Sequence, residues 1–239
     1  VGCSMSVDNY YNYRPLFQFI ATNTTTTTTS INPTFNEIVV NGGDVTISSP
    51  MDITGTLTLT SGDIISETDV NGNNSQAYAA TNTLTLKDGA TISGGSASSH
   101  VRGAIRRETA ATTEVEFPVG DGTYYRPVYL QPNATTATTY TAEYINGSHS
   151  SIAYNSNNYA NATPCNTGVD HVAMSCWWDI EKSTGGSDAY VSINWDSESG
   201  VNSPADIVLT HWVAGTSTWD KISPTGNQST LADGSGGAG

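Results

Sequence analysis

The sequence predicts an all-β protein, in which a short parallel β-solenoid is followed by an antiparallel β-sandwich. Only 13% of the 239 residues are charged, against about 25% in a typical soluble domain. Similar segments of alternating apolar and polar residues recur in the first half of the chain, and seven strand-like runs separated by turns follow in the second half. No stretch has the periodicity of an amphipathic helix.

The chain is strongly acidic, with 8 Lys and Arg residues against 22 Asp and Glu residues and a formal net charge of -14. Phosphate backbones repel such a chain, which argues against a nucleic-acid partner. No apolar run reaches the roughly 18–20 residues of a membrane span. The Thr-rich, Lys-poor composition favours an extracellular or cell-surface protein.

Residues 1–34 are predicted to form an extended N-terminal arm. This segment combines an aromatic cluster with six consecutive threonines. β-Branched residues favour extended backbone, but a Thr tract without apolar partners cannot build its own core. It therefore either pairs with another surface or is a disordered linker. The predicted assembly residues are Tyr10, Tyr11, Tyr13, Phe17, Phe19, Thr24, Thr25, Thr26, Thr27, Thr28 and Thr29.

Residues 35–105 contain an internal repeat. The run Thr56–Ser66 matches Thr83–Ser93, and a weaker copy, Ile38–Ile47, precedes them. The first offset is 19 residues (44 to 63) and the second is 27 (56 to 83), with an inserted loop around residues 71–74. One such unit cannot bury its apolar face alone, so about three stacked rungs of roughly 20 residues are predicted. An antiparallel meander is the alternative.

Residues 106–233 are predicted to form the β-sandwich, and residues 234–239 a flexible tail. The predicted strands are Glu114–Val119, Tyr124–Leu130, Thr138–Ile145, His171–Ile180, Ala189–Trp195, Asp206–Val213 and Thr218–Ile222. All five tryptophans lie in this region, which predicts a shared aromatic core. Adjacent Trp177 and Trp178 must face opposite sides of a strand.

The three cysteines give information on the cellular compartment of the protein. Cys165 and Cys176 lie close in sequence and are a candidate disulfide, which is consistent with export. Two buried thiols are the alternative. Cys3 is then left over and is either paired between subunits, free or lipid-modified.

Metal ligation has only weak support in the sequence. The weak calcium candidates are Asp121, Asp196 and Glu198, which lie in Gly- and Asn-rich turns. The alternative is ordinary turn residues that accept backbone hydrogen bonds. The four histidines lack the spacing of a zinc site, so no metal or other cofactor is expected beyond possible calcium.

Three arginines, Arg102, Arg106 and Arg107, cluster where the repeats end. One interpretation is that they pair with local carboxylates such as Glu108, Glu114 and Glu116 and seal the domain junction. The other is a site for an acidic polysaccharide. Enzymes acting on polysaccharides need acids and bases that converge on a groove. The outward positions of these repeats are Thr and Ser, so no enzymatic activity is predicted.

The order of motifs resembles large secreted surface proteins of gliding-type bacteria that are exported by the type IX secretion system. The residues that carry the resemblance are the Thr-Leu-Thr-Leu repeats, Ile92–Ser96, Val101–Arg107, Phe117–Val128, Trp178–Ile180, Val191–Asp196, Trp212–Gly215 and Thr218–Trp219. The resemblance implies a short β-helix followed by a β-sandwich in an exported, adhesin-like or matrix-like protein. It implies no catalytic residues.

Two functions follow as hypotheses. The first is a structural subunit of an extracellular filament or cell-surface layer, a homopolymer that assembles head-to-tail through β-strand contacts of the N-terminal arm. The second is an adhesin or carbohydrate-binding module of a larger secreted surface protein, with surface glycans as partners. The aromatic residues of the predicted sandwich motivate the second hypothesis.

Overall fold

A computed structural model describes residues 16–19, 25–27, 33–66, 82–146, 172, 176–194, 208–213 and 218–222. Within these ranges every regular element is a β-strand, so the predicted all-β class is confirmed. The described residues include no helix with the length and hydropathy needed to cross a membrane.

The largest sheet has eight strands. Seven of them follow in the order β1 (Leu16–Phe19), β3 (Thr34–Asn41), β5 (Met51–Ser61), β7 (Leu84–Leu86), β10 (Ile105–Thr109), β14 (Thr138–Asn146) and β15 (Cys176–Thr184), and β8 (Thr91–Gly94) pairs with β5. The strands from β1 to β10 pair in parallel, whereas β14 pairs antiparallel with both β10 and β15.

Three smaller sheets complete the described structure. The second sheet is wholly parallel and has the order β12 (Val119–Gly120), β9 (Val101–Arg102), β6 (Ile64–Ile65), β4 (Val45–Ile47) and β2 (Thr25–Thr27). The third is antiparallel, with the order β11 (Val115–Phe117), β13 (Val128–Pro132) and β16 (Ala189–Ile193). The last is the hairpin of β17 (Thr210–Val213) and β18 (Thr218–Lys221).

Apolar side chains stack in register between the parallel strands. Val45 pairs with Ile64, Ile64 with Val101, and Val101 with Val119, and all four are buried. Burial of each such side chain contributes roughly 1.5–3 kcal/mol. The alternation of the sequence produces this column, because successive residues of a strand face opposite sides of the sheet.

The structure agrees with the first predicted repeat offset and not with the second. Ile38 pairs with Leu57, as an offset of 19 residues requires. Leu57, however, pairs with Ile92 and not with Leu84, so the second offset is 35 residues (57 to 92). Leu84 instead pairs with Met51, because the first half of β5 pairs with β7 and its second half pairs with β8.

The antiparallel strands continue the parallel sheet and share its core. The predicted boundary between residues 105 and 106 falls at the start of β10, which pairs with β7 on one side and β14 on the other. One hydrophobic cluster contains Leu57 from the repeats and Phe117 and Leu130 from the region after them.

Two prolines set strand limits that the sequence pattern did not predict. The predicted strand Glu114–Val119 divides at Pro118 into β11 and β12, and the strand predicted from Tyr124 begins only after Pro127. Proline has no N–H group and cannot donate to a sheet ladder, which explains both limits.

Candidate functional site

Part of the predicted assembly arm lies at the end of the parallel sheets. Phe17 and Phe19 belong to β1, and residues 25–27 form β2. β1 pairs with β3, with Phe17 opposite Ile38, and β2 pairs with β4, with Thr26 opposite Thr46. Tyr10, Tyr11, Tyr13, Thr24, Thr28 and Thr29 lie outside the described residues.

The two ends of the parallel ladders differ. Within the described ranges β1 and β2 are terminal strands that pair in parallel, whereas the opposite terminal strand of the first sheet, β15, pairs antiparallel. At the other end, β14 pairs with β10, and the chain after β12 turns back so that the N–H of Arg126 donates to the carbonyl of Val119 at 2.9 Å. A terminal strand presents backbone donors and acceptors along its outer edge. The N-terminal edges are therefore the candidate assembly surface.

Side-chain hydrogen bonds connect the starts of neighbouring strands in the second sheet. The residue directly before each of these strands is called a corner residue, and the series of bonds is called the corner ladder. Asp44, Asp63 and His100 each come directly before a strand of the second sheet. Asp44 Oδ1 accepts from the N–H of Asp63 at 2.9 Å, and Asp63 Oδ1 accepts from the N–H of His100 at 3.1 Å. Each corner side chain thus satisfies the backbone donor of the next corner, as buried backbone groups require.

Pro118 ends this ladder. It precedes β12 as Asp44, Asp63 and His100 precede their strands, but it has no N–H to offer the side chain of His100. His100 is fully buried, and its Nε2 accepts instead from the N–H of Gly122 at 2.9 Å. The proline of the Phe117–Val128 motif therefore coincides with the end of the corner ladder.

The Arg107 side chain bonds the backbone at two places, beside β8 and in β11, and these two strands do not pair with each other. Its Nη2 donates to the carbonyl of Ala90 at 2.7 Å, just before β8, and its Nη1 donates to the carbonyl of Glu116 at 3.0 Å, in β11. Burial lowers the pKa of Arg107, and the nearby carboxylate of Glu116 partly offsets that effect.

The charged side chains at this junction have both carboxylate and backbone partners. Arg107 bonds backbone carbonyls, and the Glu108 carboxylate pairs with Lys87. Arg102 Nη1 lies 3.7 Å from Asp44 Oδ2, and the two side chains form an ion pair. Arg106 lies opposite Thr141 in the pairing of β10 with β14.

The outer face of the third sheet carries tyrosines and acidic or amide side chains. Tyr190 in β16 is 52% exposed. Its cross-strand partner is Gln131, and the neighbouring row contains Glu116, Tyr129 and Ser192. The outward position of Tyr190 agrees with the alternation of Ala189–Ile193.

The tryptophans that the structure describes do not form one aromatic core. Trp178 packs against the core, with its Nε1 donating to the carbonyl of Arg126 at 3.1 Å and its ring 5.4 Å from that of Tyr144. Its neighbour Trp177 lies opposite Ile145 on the other face of β15, as the alternation requires. Trp212 and Trp219 lie opposite each other in the pairing of β17 with β18, and Trp195 lies outside the described residues.

No family model, curated protein or solved structure matches this chain. The resemblance to exported surface proteins therefore stays an expectation from sequence motifs. Within the most specific of these motifs, Phe117–Val128, the structure describes the end of β11, the whole of β12 and the start of β13.

Asp121 has protein partners at both carboxylate oxygens. Its Oδ1 accepts from the N–H groups of Thr123 and Tyr124, and its Oδ2 accepts from the side-chain amide of Asn146 at 2.6 Å. Burial alone raises the pKa of Asp121, but these donors outweigh burial and lower it. Asp121 therefore has the hydrogen bonds of an ordinary turn residue, which was the alternative to a calcium ligand.

The remaining metal and disulfide candidates fall largely outside the described residues. Asp196 and Glu198 both do, and so do Cys3 and Cys165. Cys176 begins β15 and packs against the core. Among the described residues no group of three or more His, Cys, Asp or Glu side chains is placed to hold a metal ion.

Proposed function

We propose that this protein is a structural subunit of an extracellular filament or cell-surface layer, which assembles head-to-tail through β-strand contacts. The observation that carries the proposal is the difference between the two ends of the parallel ladders. Within the described residues β1 and β2 end the two parallel ladders, whereas at the other end the first sheet continues antiparallel through β14 to its terminal strand β15. Exposed edges are templates for strand addition, and head-to-tail contacts of this kind produce open fibres.

The finer architecture is part of the same proposal. The parallel strands from β1 to β12 are rungs of a short β-solenoid, and the antiparallel strands that follow are its sandwich-like cap. A solenoid buries its apolar face only between stacked rungs, so an end without a cap is completed by a neighbouring molecule. Export by the type IX system and a cell-surface location belong to this proposal through the sequence resemblance.

Electron microscopy and light scattering of the secreted and recombinant protein test the proposal. We expect regular fibres or sheets from the wild-type chain. Deletion of residues 1–30 should leave a folded monomer, because the described core cluster begins at Phe35. A monomeric wild-type protein under all conditions would contradict the proposal, and fibres from the truncated protein would show that residues 1–30 are not needed for assembly.

A point substitution gives a sharper test than the deletion, which also uncovers β3. Thr26→Pro removes one backbone donor from β2 and should reduce assembly strongly while the rest of the fold is retained. Thr26→Val is the matched control, because it keeps the donor and the β-branched shape, and it should assemble like the wild type. Equal assembly by the Pro and Val variants would exclude β2 as an assembly edge.

A second candidate function is an adhesin or carbohydrate-binding module. The observation that favours it is the exposure of Tyr190 on the outer face of the third sheet, away from the edges of β1 and β2. The two functions are compatible, because a filament subunit can also present a binding surface.

A further inference from the structure

The third sheet has one apolar face and one polar, aromatic face. Val115, Phe117, Val128 and Leu130 are buried in the core cluster. The residues that alternate with them face outward, and they include two tyrosines. This surface is called the tyrosine face, and its members are Glu114, Glu116, Tyr129, Gln131, Tyr190 and Ser192.

Strand register arranges these side chains in rows. Tyr129 lies between Glu116 on β11 and Ser192 on β16, and Tyr190 lies opposite Gln131 in the next row. Glu114 is exposed, and its charge acts on Tyr129. Three strands spaced about 4.8 Å apart give a surface about 10 Å wide, the length of about two sugar rings.

The polar groups of the tyrosine face are held in fixed states. Tyr125 donates its hydroxyl proton to Glu116 Oε1 at 2.6 Å, which fixes the orientation of this carboxylate. Burial, together with the charges of Glu116 and Glu114, raises the pKa of Tyr129 to about 12. Like an ordinary tyrosine, Tyr129 keeps its hydroxyl proton at neutral pH, and it offers a donor opposite the carboxylate of Glu116.

These groups match the chemistry of a sugar. The face of a pyranose ring is apolar and packs on an aromatic ring, whereas its hydroxyl groups form hydrogen bonds with carboxylates, amides and hydroxyls. Tyrosine supplies such an apolar surface with a polar tip. Tyr190 provides the exposed ring, and Gln131 lies opposite it on β13, whereas Glu116 and Ser192 provide an acceptor and a hydroxyl group in the neighbouring row.

Charge decides which class of glycan fits. The tyrosine face contains two carboxylates and neither lysine nor arginine, and the whole chain has a net charge of -14. A polyanionic glycan would be repelled from this surface. We propose that the tyrosine face binds a neutral polysaccharide, with Tyr190 stacking on one sugar ring and Glu116 accepting hydrogen bonds from the hydroxyl groups of a neighbouring ring. This proposal deepens the second candidate function and does not depend on filament assembly.

Affinity electrophoresis in gels that contain a neutral polysaccharide (galactomannan, xyloglucan or β-glucan) tests the proposal, with calorimetry on any that retards the protein. Polygalacturonate is the acidic comparison. We expect retardation by at least one neutral polymer and none by polygalacturonate. Tyr190→Ala should weaken binding by about tenfold without changing the unfolding midpoint, and Glu116→Gln should weaken it less.

Ile222→Ala is the matched control, because Ile222 is a partly exposed apolar side chain in another part of the molecule. It should bind like the wild type. Binding of Tyr190→Ala at wild-type strength, retardation only by polygalacturonate, or no retardation by any neutral polymer would overturn the proposal. Assembly of Tyr190→Ala and glycan binding by Thr26→Pro are measured in parallel, so that failure of one function is distinguished from failure of the other.

Discussion

The imidazole Nε2 of His100 accepts a hydrogen bond from the backbone N–H of Gly122 at 2.9 Å. Since a backbone N–H is only a donor, the proton of the neutral ring is assigned to Nδ1, which lies 2.9 Å from the carbonyl oxygen of Ser96. The fully buried ring therefore joins the corner at residues 96–100 to the turn after β12. His100 thus connects two neighbouring strands of the second sheet, β9 and β12.

We expect His100→Ala to destabilise the fold by about 2–4 kcal/mol, because it leaves a cavity and an unsatisfied N–H at Gly122. Urea unfolding followed by tryptophan fluorescence measures the change. His211→Ala is the control, because His211 is exposed, and it should leave stability nearly unchanged. Equal stability of the two variants would show that the His100 contacts do not hold the corner together.

A second close approach lies at Gly55, in the middle of β5. A Cβ atom added there would collide with the backbone carbonyl oxygen of Asn36 in β3. We therefore expect Gly55→Ala to destabilise the protein by about 1–3 kcal/mol, the usual cost of overpacking. Thermal unfolding checks this prediction. Gly186→Ala is the matched control, since an added Cβ atom would meet only Thr136, at an ordinary 3.7 Å. A wild-type midpoint for Gly55→Ala would mean that β3 and β5 are not so closely packed.

The sequence was sufficient for the all-β class and for the first repeat offset. Strict alternation in segments such as residues 56–59 leaves one apolar face, and the corner residues Asp44 and Asp63 recur at the same interval as the strands. The second offset was not predictable by matching Thr-Leu-Thr-Leu segments. Residues 67–81 separate β6 from β7, and the similar segment at 83–86 pairs with the first half of β5.

The candidate sites were predictable only in part. At Asp121 the sequence left a calcium ligand and an ordinary turn residue as alternatives, whereas strand alternation correctly placed Trp177 and Trp178 on opposite faces of a strand. It did not identify the tyrosine face, because its residues come from β11, β13 and β16, which meet only through tertiary pairing. The sequence also did not predict that Arg107 bonds the carbonyls of Ala90 and Glu116. Every residue has a backbone carbonyl, so the residue type of the partner does not indicate such a bond.

Glu181 in β15 gives the protein a predicted pH dependence of stability. Burial raises the pKa of Glu181 to about 7 from an ordinary value of 4.5, and the charge of Asp179 contributes to the same shift. A carboxyl group whose pKa is raised in the folded state favours the folded state when protonated. Its contribution is therefore greatest below about pH 4.5 and is lost as the pH rises through about 7.

We accordingly expect Glu181→Gln to be more stable than the wild type at pH 8, by about 1 kcal/mol after allowance for solvent screening, and equally stable at pH 4. Urea unfolding of both proteins between pH 4 and 8 measures the difference. Ser183→Ala is the control, because it removes a hydroxyl group that bonds Thr141 on the neighbouring strand and has no charge to titrate. Its effect should be the same at both pH values. A Glu181→Gln effect that does not change with pH would show that the Glu181 carboxyl is ionised in the folded protein as readily as in the unfolded chain.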